Sequence, residues 1–219
     1  MPPVIRLQNA SVSYDRLPVL HDITLEIEDG EKVVLVGPSG AGKTTLLRKL
    51  FESVGASAAF IHQDYALVPQ LSTFHNVYMG RLDRHGALYN GLNLAIPRRR
   101  EVEAITPLLV ELNLEDKFHE RVSELSGGQQ QRVAVARALY RDADIVFGDE
   151  PVSAVDPRQS DAVLTLLKQE TRTLVLAMHD VDLALEHFDR VIGLRNGRMA
   201  FDASSTHVAR DHLNELFAS

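Results

Sequence analysis

KVVLVGPSGAGKTT, residues 32–45, decides the fold of this protein. Its first five residues form a short apolar run that ends at a glycine, which is typical of a buried parallel strand. Gly37, Gly42, Lys43 and Thr44 then satisfy the pattern G-x-x-x-x-G-K-[ST], and a helical pattern follows. A strand, a glycine loop and a helix in this order predict a phosphate-binding loop.

The residue types in this loop explain why it would bind phosphate. Glycines let the backbone curl so that successive N–H groups point at phosphate oxygens, and the positive end of the following helix adds to the attraction. Lys43 would reach the β- and γ-phosphates of a nucleotide, and the Thr44 hydroxyl would help to hold Mg²⁺. The alternative is a glycine-rich turn that contains Lys-Thr by chance, which the flanking strand and helix disfavour. The predicted nucleotide contacts are Gly37, Pro38, Ser39, Gly40, Ala41, Gly42, Lys43, Thr44 and Thr45.

Two adjacent carboxylates, Asp149 and Glu150, follow the apolar run DIVFG at residues 144–148. In an open α/β sheet, ligands bind at the carboxyl ends of the parallel strands. Asp149 is placed to hold Mg²⁺, and Glu150 to polarise the water that attacks the γ-phosphate. A solvated turn is the alternative, because Asp and Pro are ordinary turn residues. The phosphate-binding loop in the same chain favours the catalytic interpretation.

A second anion-binding element is predicted at LSGGQ, residues 125–129. Ser126 can act as the N-cap of the helix that follows, and the two glycines expose N–H groups at its positive end. An ordinary capped helix would have the same sequence features, so the pentapeptide alone does not decide between the two.

At this point the sequence resembles the ABC ATPase family, whose signature is this pentapeptide. Four further positions occur in the family's order: Tyr14, where the family has an aromatic that stacks on adenine; Gln63, in a stretch similar to the Q-loop; Asp156, in SAVD at 153–156, similar to the D-loop; and His179, similar to the switch histidine. Each position alone is a weak signal. The resemblance covers essentially the whole chain, residues 1–219.

The resemblance implies a mechanism that the residues alone do not give. Two copies of the chain would form a homodimer with two ATP sites, and the signature of one copy would close over ATP in the other, through Ser126, Gly127, Gly128 and Gln129. Asp156 would couple the sites. The catalytic residues implied are Glu150 as general base or water-orienting group, His179 at the γ-phosphate, Gln63 as a sensor of Mg²⁺ and water, and Lys43. Thr44, Gln63 and Asp149 would hold the Mg²⁺ that arrives with ATP.

The expected fold is α/β, a P-loop NTPase core with a mostly parallel sheet and an inserted helical subdomain. Alternating patterns at 4–14 and 20–27 predict an antiparallel pair, and apolar runs at 58–61, 144–148 and 173–178 predict further strands. Asn196-Gly197 predicts a two-residue hairpin turn within 190–201. We expect one ABC ATPase domain, with residues 1–70 and 140–219 in the core lobe and 71–139 in the helical lobe.

The spacing of two motifs departs from the family pattern. Only 20 positions separate Lys43 from Gln63, fewer than the family usually has. A hairpin that would extend the antiparallel subdomain is therefore expected to be missing, which leaves a reduced subdomain. Coupling of the ATPase to the family's usual permease partner is then less secure. Gly148 stands where a larger aliphatic residue is expected and can loosen packing beneath the acid pair. Val155 replaces a leucine and is close to neutral.

Composition restricts the partners. The formal charge of −7 and pI near 5.7 argue against a general nucleic-acid surface. No cysteine is present, which excludes disulfides and thiolate metal sites. No apolar run approaches the ~20 residues of a membrane-spanning helix, so we expect any membrane role to come through a partner. The basic run Arg98-Arg99-Arg100 is more typical of a solvated face than of a docking patch.

The transported solute is suggested only by resemblance. Residues 148–157 (GDEPVSAVDP), residues 178–202 and the stretch Met79-Gly80-Arg81-Leu82 look like the ATP-binding subunits of phosphonate importers. This implies permease subunits, a solute-binding protein, and a place on the cytoplasmic face of a bacterial inner membrane. The alternatives are an importer of another small solute, a soluble ABC ATPase without a transport role, and a nucleotide-dependent scaffold, which the intact acid pair disfavours.

Overall fold

The structure, a computed structural model, describes residues 4–15 and 17–217. The chain divides into two compact units. We call residues 4–15, 17–60, 144–150 and 172–217 the core unit, and residues 61–143 and 151–171 the helical unit. This division places Gln63 and Asp156 in the helical unit, whereas we expected both in the core lobe.

A six-stranded sheet with the order β4-β5-β6-β3-β7-β8 organises the core unit. Strands β5, β6, β3 and β7 pair in parallel, and β8 pairs antiparallel with β7. The central strands are buried on both faces, which explains why they read as continuous apolar runs rather than as alternating patterns. The bounds are β3 Lys32–Val36, β4 Ala58–Ile61, β5 Ile145–Asp149, β6 Thr173–Ala177, β7 Arg190–Arg195 and β8 Arg198–Ser204. The α/β fold with a mostly parallel sheet is confirmed.

A separate two-stranded antiparallel sheet pairs β1 (Ile5–Tyr14) with β2 (Leu17–Ile27). Alternate residues of β2 from Ile23 to Ile27 are buried while those between them are exposed, so one face is covered and the other is open. Within the described residues this sheet has two strands, as expected from the short spacing between Lys43 and Gln63.

Helix α1 (Lys43–Val54) follows the glycine loop and contributes Leu46, Leu47 and Leu50, each fully buried, to the hydrophobic core of the unit. That core also contains side chains of both sheets, so α1 packs between them. At one end of the helix, the Phe51 ring meets Phe60 and Phe147 edge-on, with ring centroids 5.2 and 5.9 Å apart. Apolar packing of α1 against both sheets therefore fixes the position of the loop at its start. Helices α7 (Val181–His187) and α8 (Arg210–Phe217) complete the unit.

The helical unit contains α2 (Thr73–Tyr78), α3 (Ala87–Ala95), α4 (Arg99–Glu111), α5 (Gly127–Arg141) and α6 (Pro157–Glu170). Its core includes Phe74, whose ring stacks on Phe118 at 5.0 Å, together with Ile105 and Leu109 of α4. Helix α5 packs against α2 and α4. In the described part of the chain, no helix has the length and apolar character needed to cross a membrane.

Candidate active site

The glycine loop has the backbone conformation that its sequence predicts. Gly42 caps α1 with φ +101° and ψ 8°, a left-handed conformation that favours glycine. A Cβ added at Gly42 would lie 2.8 Å from Leu20 Cδ2, so β2 approaches the loop too closely for a larger residue. Gly42 is therefore required by its backbone conformation, and β2 leaves little room there for a side chain.

The turn of the β7–β8 hairpin supports the loop from another side. Asn196 and Gly197 have positive φ values of 48° and 72°, which confirms the predicted turn. The Gly197 N–H donates to the Ala41 carbonyl at 3.0 Å, and the His21 N–H donates to the Gly197 carbonyl at 2.9 Å. Sequence reasoning identified the turn but not this contact, because nothing in a two-residue turn motif says which distant loop it will touch.

Lys43 is folded back onto its own loop. Its Nζ donates to the Gly37 carbonyl at 2.7 Å and to the Pro38 carbonyl at 3.1 Å, and the residue is only 6% exposed. Burial lowers the pKa of the ammonium group, while the nearby charges of Glu150 and Asp149 oppose that shift. The phosphate oxygens of a nucleotide bound in the loop could therefore replace the Gly37 and Pro38 carbonyls as hydrogen-bond acceptors for the Lys43 ammonium group.

The sheet brings three strand ends together at this site. Leu35 of β3 is opposite Ala177 of β6, and Ala177 is opposite Asp149 of β5. Because these strands are parallel, their carboxyl ends, followed by the glycine loop, His179 and Glu150, lie at the same edge of the sheet. Residues that are far apart in the chain thus share one site.

Glu150 and His179 form a close pair. The Glu150 Oε1 lies 2.6 Å from the His179 Nε2, with the Glu150 side chain 14% exposed and the His179 side chain 49% exposed. Glu150 adopts φ +53°, an unusual conformation for a non-glycine residue, and its N–H donates to the Ala177 carbonyl at 2.9 Å. Such backbone outliers cluster at functional sites, where the surrounding structure maintains them.

Asp149 has an unused acceptor. The residue is 3% exposed, and its Oδ1 is buried without a hydrogen-bond partner in the described structure. Buried carboxylate oxygens are normally satisfied, so an unpaired one needs an explanation. A cation that Asp149 binds together with the Thr44 hydroxyl and nucleotide phosphates would supply it, which fits the predicted Mg²⁺ site.

Tyr14 ends β1 and is 53% exposed. It pairs with Leu17 at the start of β2, the strand whose Val19 and Leu20 lie against Gly42. An exposed aromatic ring on this sheet is available to stack on a base, as the resemblance implies.

In the helical unit, Gln63 lies in an exposed turn after β4. The neighbouring residues Tyr65 and Ala66 have positive φ values, and their carbonyls accept hydrogen bonds from Arg137 of α5 at 2.7 and 2.5 Å. The stretch that follows Gln63 is therefore tied to the helix that carries the signature. Sequence reasoning missed Arg137, because only the folded structure shows the carbonyls that it meets.

Helix α5 begins at Gly127, within the signature pentapeptide. Ser126 Oγ accepts from the Gln129 N–H at 3.3 Å, and Gln129 Oε1 accepts from the Ser126 N–H at 2.8 Å. This reciprocal capping box confirms the predicted N-cap and occupies the Gln129 side chain. A Cβ added at Gly128 would lie 2.7 Å from the Ala154 carbonyl oxygen, so the SAVD segment packs directly on the signature.

Gln131 holds the SAVD segment, residues 153–156, through two hydrogen bonds. The residue is 1% exposed; its Oε1 accepts from the Ala154 N–H at 2.8 Å, and its Nε2 donates to the Ser153 Oγ at 3.2 Å. Asp156 then caps α6, because its Oδ1 accepts from the Gln159 N–H at 3.2 Å. Helix α5 thus positions both the SAVD segment and the stretch after Gln63.

We expect Gln131→Met to destabilise the helical unit by about 1–3 kcal/mol, since methionine keeps the volume but leaves the Ala154 N–H without its acceptor. Urea unfolding followed by circular dichroism measures the change. Gln70→Met, at an exposed glutamine, is the matched control. Equal unfolding midpoints for the two variants would show that the Gln131 amide does not hold the segment.

Comparison with known proteins gives two sets of relatives. The ABC transporter family model matches residues 20–153. Phosphonates import ATP-binding protein PhnC 1 of Pseudomonas syringae pv. syringae is 40% identical over 91% of this chain and 86% of its own length. Phosphonates import ATP-binding protein PhnC of Anaeromyxobacter dehalogenans is 38% identical over 98% of this chain, which spans about half of that protein's length.

Solved structures show the same fold. A dimeric bacterial ABC transporter cassette superposes with a TM-score of 0.80 at 26% identity, covering 92% of this chain and 98% of the other. A post-hydrolysis dimer of that cassette with ADP and phosphate bound gives a TM-score of 0.77 at 25% identity over the same shares of the chains.

Proposed function

This chain belongs to the ABC transporter family, in which it is an ATP-binding and ATP-hydrolysing subunit, and we propose that its ATPase activity energises import of a phosphonate or a related small oxyanion. The Glu150–His179 pair, at the sheet edge that carries the glycine loop, is the observation that best supports hydrolysis over nucleotide binding alone. The cargo rests on the relatives named as phosphonate importers.

The core unit supports a division of roles among its residues. The backbone N–H groups of residues 37–45, Pro38 excepted, and the Lys43 ammonium would bind the phosphates, and Tyr14 would stack on the adenine. The Glu150 carboxylate would orient the attacking water and accept its proton at Oε1 or Oε2. His179, whose Nε2 lies 2.6 Å from the Glu150 Oε1, would donate from that nitrogen to the γ-phosphate in place of the carboxylate.

Mg²⁺ would be held by the Thr44 hydroxyl and the Asp149 carboxylate, with Gln63 assigned to it by resemblance alone. The ion would neutralise charge on the β- and γ-phosphates. The unpaired Asp149 Oδ1 supports this assignment, because a buried carboxylate oxygen is the type of ligand that Mg²⁺ prefers.

We further propose that two copies of the chain form the working enzyme. Ser126, Gly127, Gly128 and Gln129 of one copy would contact ATP held by the other, and Asp156 would couple the two sites. The capping box at Ser126 and the packing of Gly128 on Ala154 keep the exposed N–H groups of the signature ordered for that role. The dimeric cassette structures support this arrangement.

The proposed partners are transmembrane permease subunits and, through them, a solute-binding protein, with the chain held at the cytoplasmic face of a bacterial membrane. The reduced two-stranded sheet is the feature in which this chain departs from its family's pattern. We propose that the site is intact despite it, since β4 still leads directly to Gln63.

The cargo is testable by reconstituting the chain with its permease in proteoliposomes and measuring ATP hydrolysis. We expect the solute-binding protein to stimulate hydrolysis several-fold when loaded with an alkylphosphonate, and less when loaded with inorganic phosphate or an amino acid. Glu150→Gln gives the background without turnover. Stimulation by an amino acid in place of the phosphonate would contradict the proposed cargo and leave the ATPase assignment unchanged.

A further inference from the structure

Helix α3 of the helical unit has its polar side inward and its apolar side outward. Leu88 is 79% exposed, Leu92 48%, Leu94 54% and Ile96, just past the helix end, 76%. Between residues 86 and 97, the exposed side chains are all apolar. Contiguous apolar surface of this kind marks a site of association. We call Leu88, Leu92, Leu94 and Ile96 the α3 apolar face.

Hydrogen bonds fix this orientation. Tyr89 donates to the Glu101 carboxylate at 2.7 Å, and Asn90 accepts from the Tyr78 hydroxyl at 2.7 Å while donating to two carbonyls. Asn93 is fully buried and accepts from the Arg98 N–H at 2.8 Å. Turning α3 to bury its leucines would break these hydrogen bonds and leave their buried partners unpaired. The cost of unpaired buried polar groups therefore keeps the apolar face outward.

Three consecutive arginines follow the α3 apolar face in an otherwise acidic chain. Residues 81–100 contain five arginines and one aspartate, but Arg81 and Arg84 lie 3.3 and 3.7 Å from the Asp142 carboxylate, which leaves Arg98–Arg100 as the cations next to the face, in a chain that carries −7 overall. Arg98, Arg99 and Arg100 are exposed directly after Ile96. Arg99 forms a solvent-exposed ion pair with Glu103 at 2.7 Å, and such pairs contribute little to stability. Arg98–Arg100 therefore offer positive charge to a partner, although the molecule as a whole is acidic.

We propose that the α3 apolar face and Arg98–Arg100 bind the surface of a membrane that contains anionic lipids. The leucines and Ile96 would enter the boundary between headgroups and acyl chains, and the arginines would pair with headgroup phosphates, a combination typical of interfacial membrane helices. The acidic remainder of the chain would be repelled, so binding would also orient the molecule. This surface is distinct from the nucleotide site and does not rest on the proposed cargo.

Two other occupants fit less well. A second copy of the chain would bring two arginine clusters together, and a nine-residue helix only ~14 Å long is small for an interface that needs about 800 Å² from each partner. An apolar protein helix with acidic ends would match the charge, but such helices are usually bound in grooves, whereas Leu88 and Ile96 are 79% and 76% exposed on and just past a single helix.

Flotation of the full chain with vesicles tests the proposal. Vesicles of equimolar phosphatidylglycerol and phosphatidylcholine should bind the protein, and pure phosphatidylcholine should bind it several-fold more weakly. Leu88→Ser/Ile96→Ser and Arg99→Gln/Arg100→Gln should each reduce binding roughly tenfold or more. The matched controls, Val110→Ser at an aliphatic residue that is 50% exposed and Arg48→Gln/Lys49→Gln on α1, should bind as the parent does.

Circular dichroism melting of each variant checks that it is folded. Equal binding to both vesicle types, or equal losses in the patch and control variants, would overturn the proposal. So would a parent chain that binds neither vesicle yet loses permease binding when Leu88 and Ile96 are replaced, because that result would assign the face to a protein partner. The vesicles contain neither permease nor ATP, so failure here leaves the ATPase function untouched.

Discussion

Glu150→Gln should lower the rate of ATP hydrolysis by about a hundredfold or more while leaving ATP affinity nearly unchanged. Glutamine keeps the size of the side chain and can still bond His179, but it cannot accept a proton from water. The variant should also accumulate as a dimer in ATP, because a nucleotide that is not hydrolysed keeps its two binding surfaces together. Phosphate release and size-exclusion chromatography with ATP measure the two effects.

The matched control for this change is Glu52→Gln, at an exposed glutamate on α1 that pairs only with Lys49 among the contacts described. Its hydrolysis rate should equal that of the parent. Turnover of Glu150→Gln at the parent rate would show that Glu150 is not the base, and would leave Asp149 or His179 as the group that activates water.

Lys43→Met should weaken ATP binding by about a hundredfold or more, since two charge-assisted contacts to phosphate are lost, each worth about 1.5–3 kcal/mol. Methionine follows the path of the lysine stem, and burial already lowers the pKa of the ammonium group, so removing the charge should cost the nucleotide-free protein little stability. Titration with a fluorescent ATP analogue gives the affinity, and thermal unfolding without nucleotide gives the stability.

Lys49→Met, at a half-buried lysine on the same helix, is the control and should bind ATP as the parent does. Two results would count against the role of Lys43. One is unchanged affinity for ATP. The other is a large loss of stability in the nucleotide-free protein, which would mean that its bonds to the Gly37 and Pro38 carbonyls serve mainly to hold the loop.

The sequence by itself determined the elements whose signals are local. The loop at 37–45 is specified by glycines that need unusual backbone conformations and close approach, the hairpin turn by Asn196-Gly197, and the N-cap by Ser126. In each case the physical cause lies within a few residues, so a pattern in one sequence is sufficient to recognise it.

Only the tertiary structure decided which distant groups meet. Parallel pairing of β5, β6 and β3 brings Glu150 within 2.6 Å of His179, and the β7–β8 turn reaches Ala41 through Gly197. Helix α5 holds two loops through Arg137 and Gln131, and the bonds beneath α3 turn its leucines outward. These contacts join residues far apart in the chain, and their partners are mostly backbone groups, which every residue carries and no sequence pattern can distinguish.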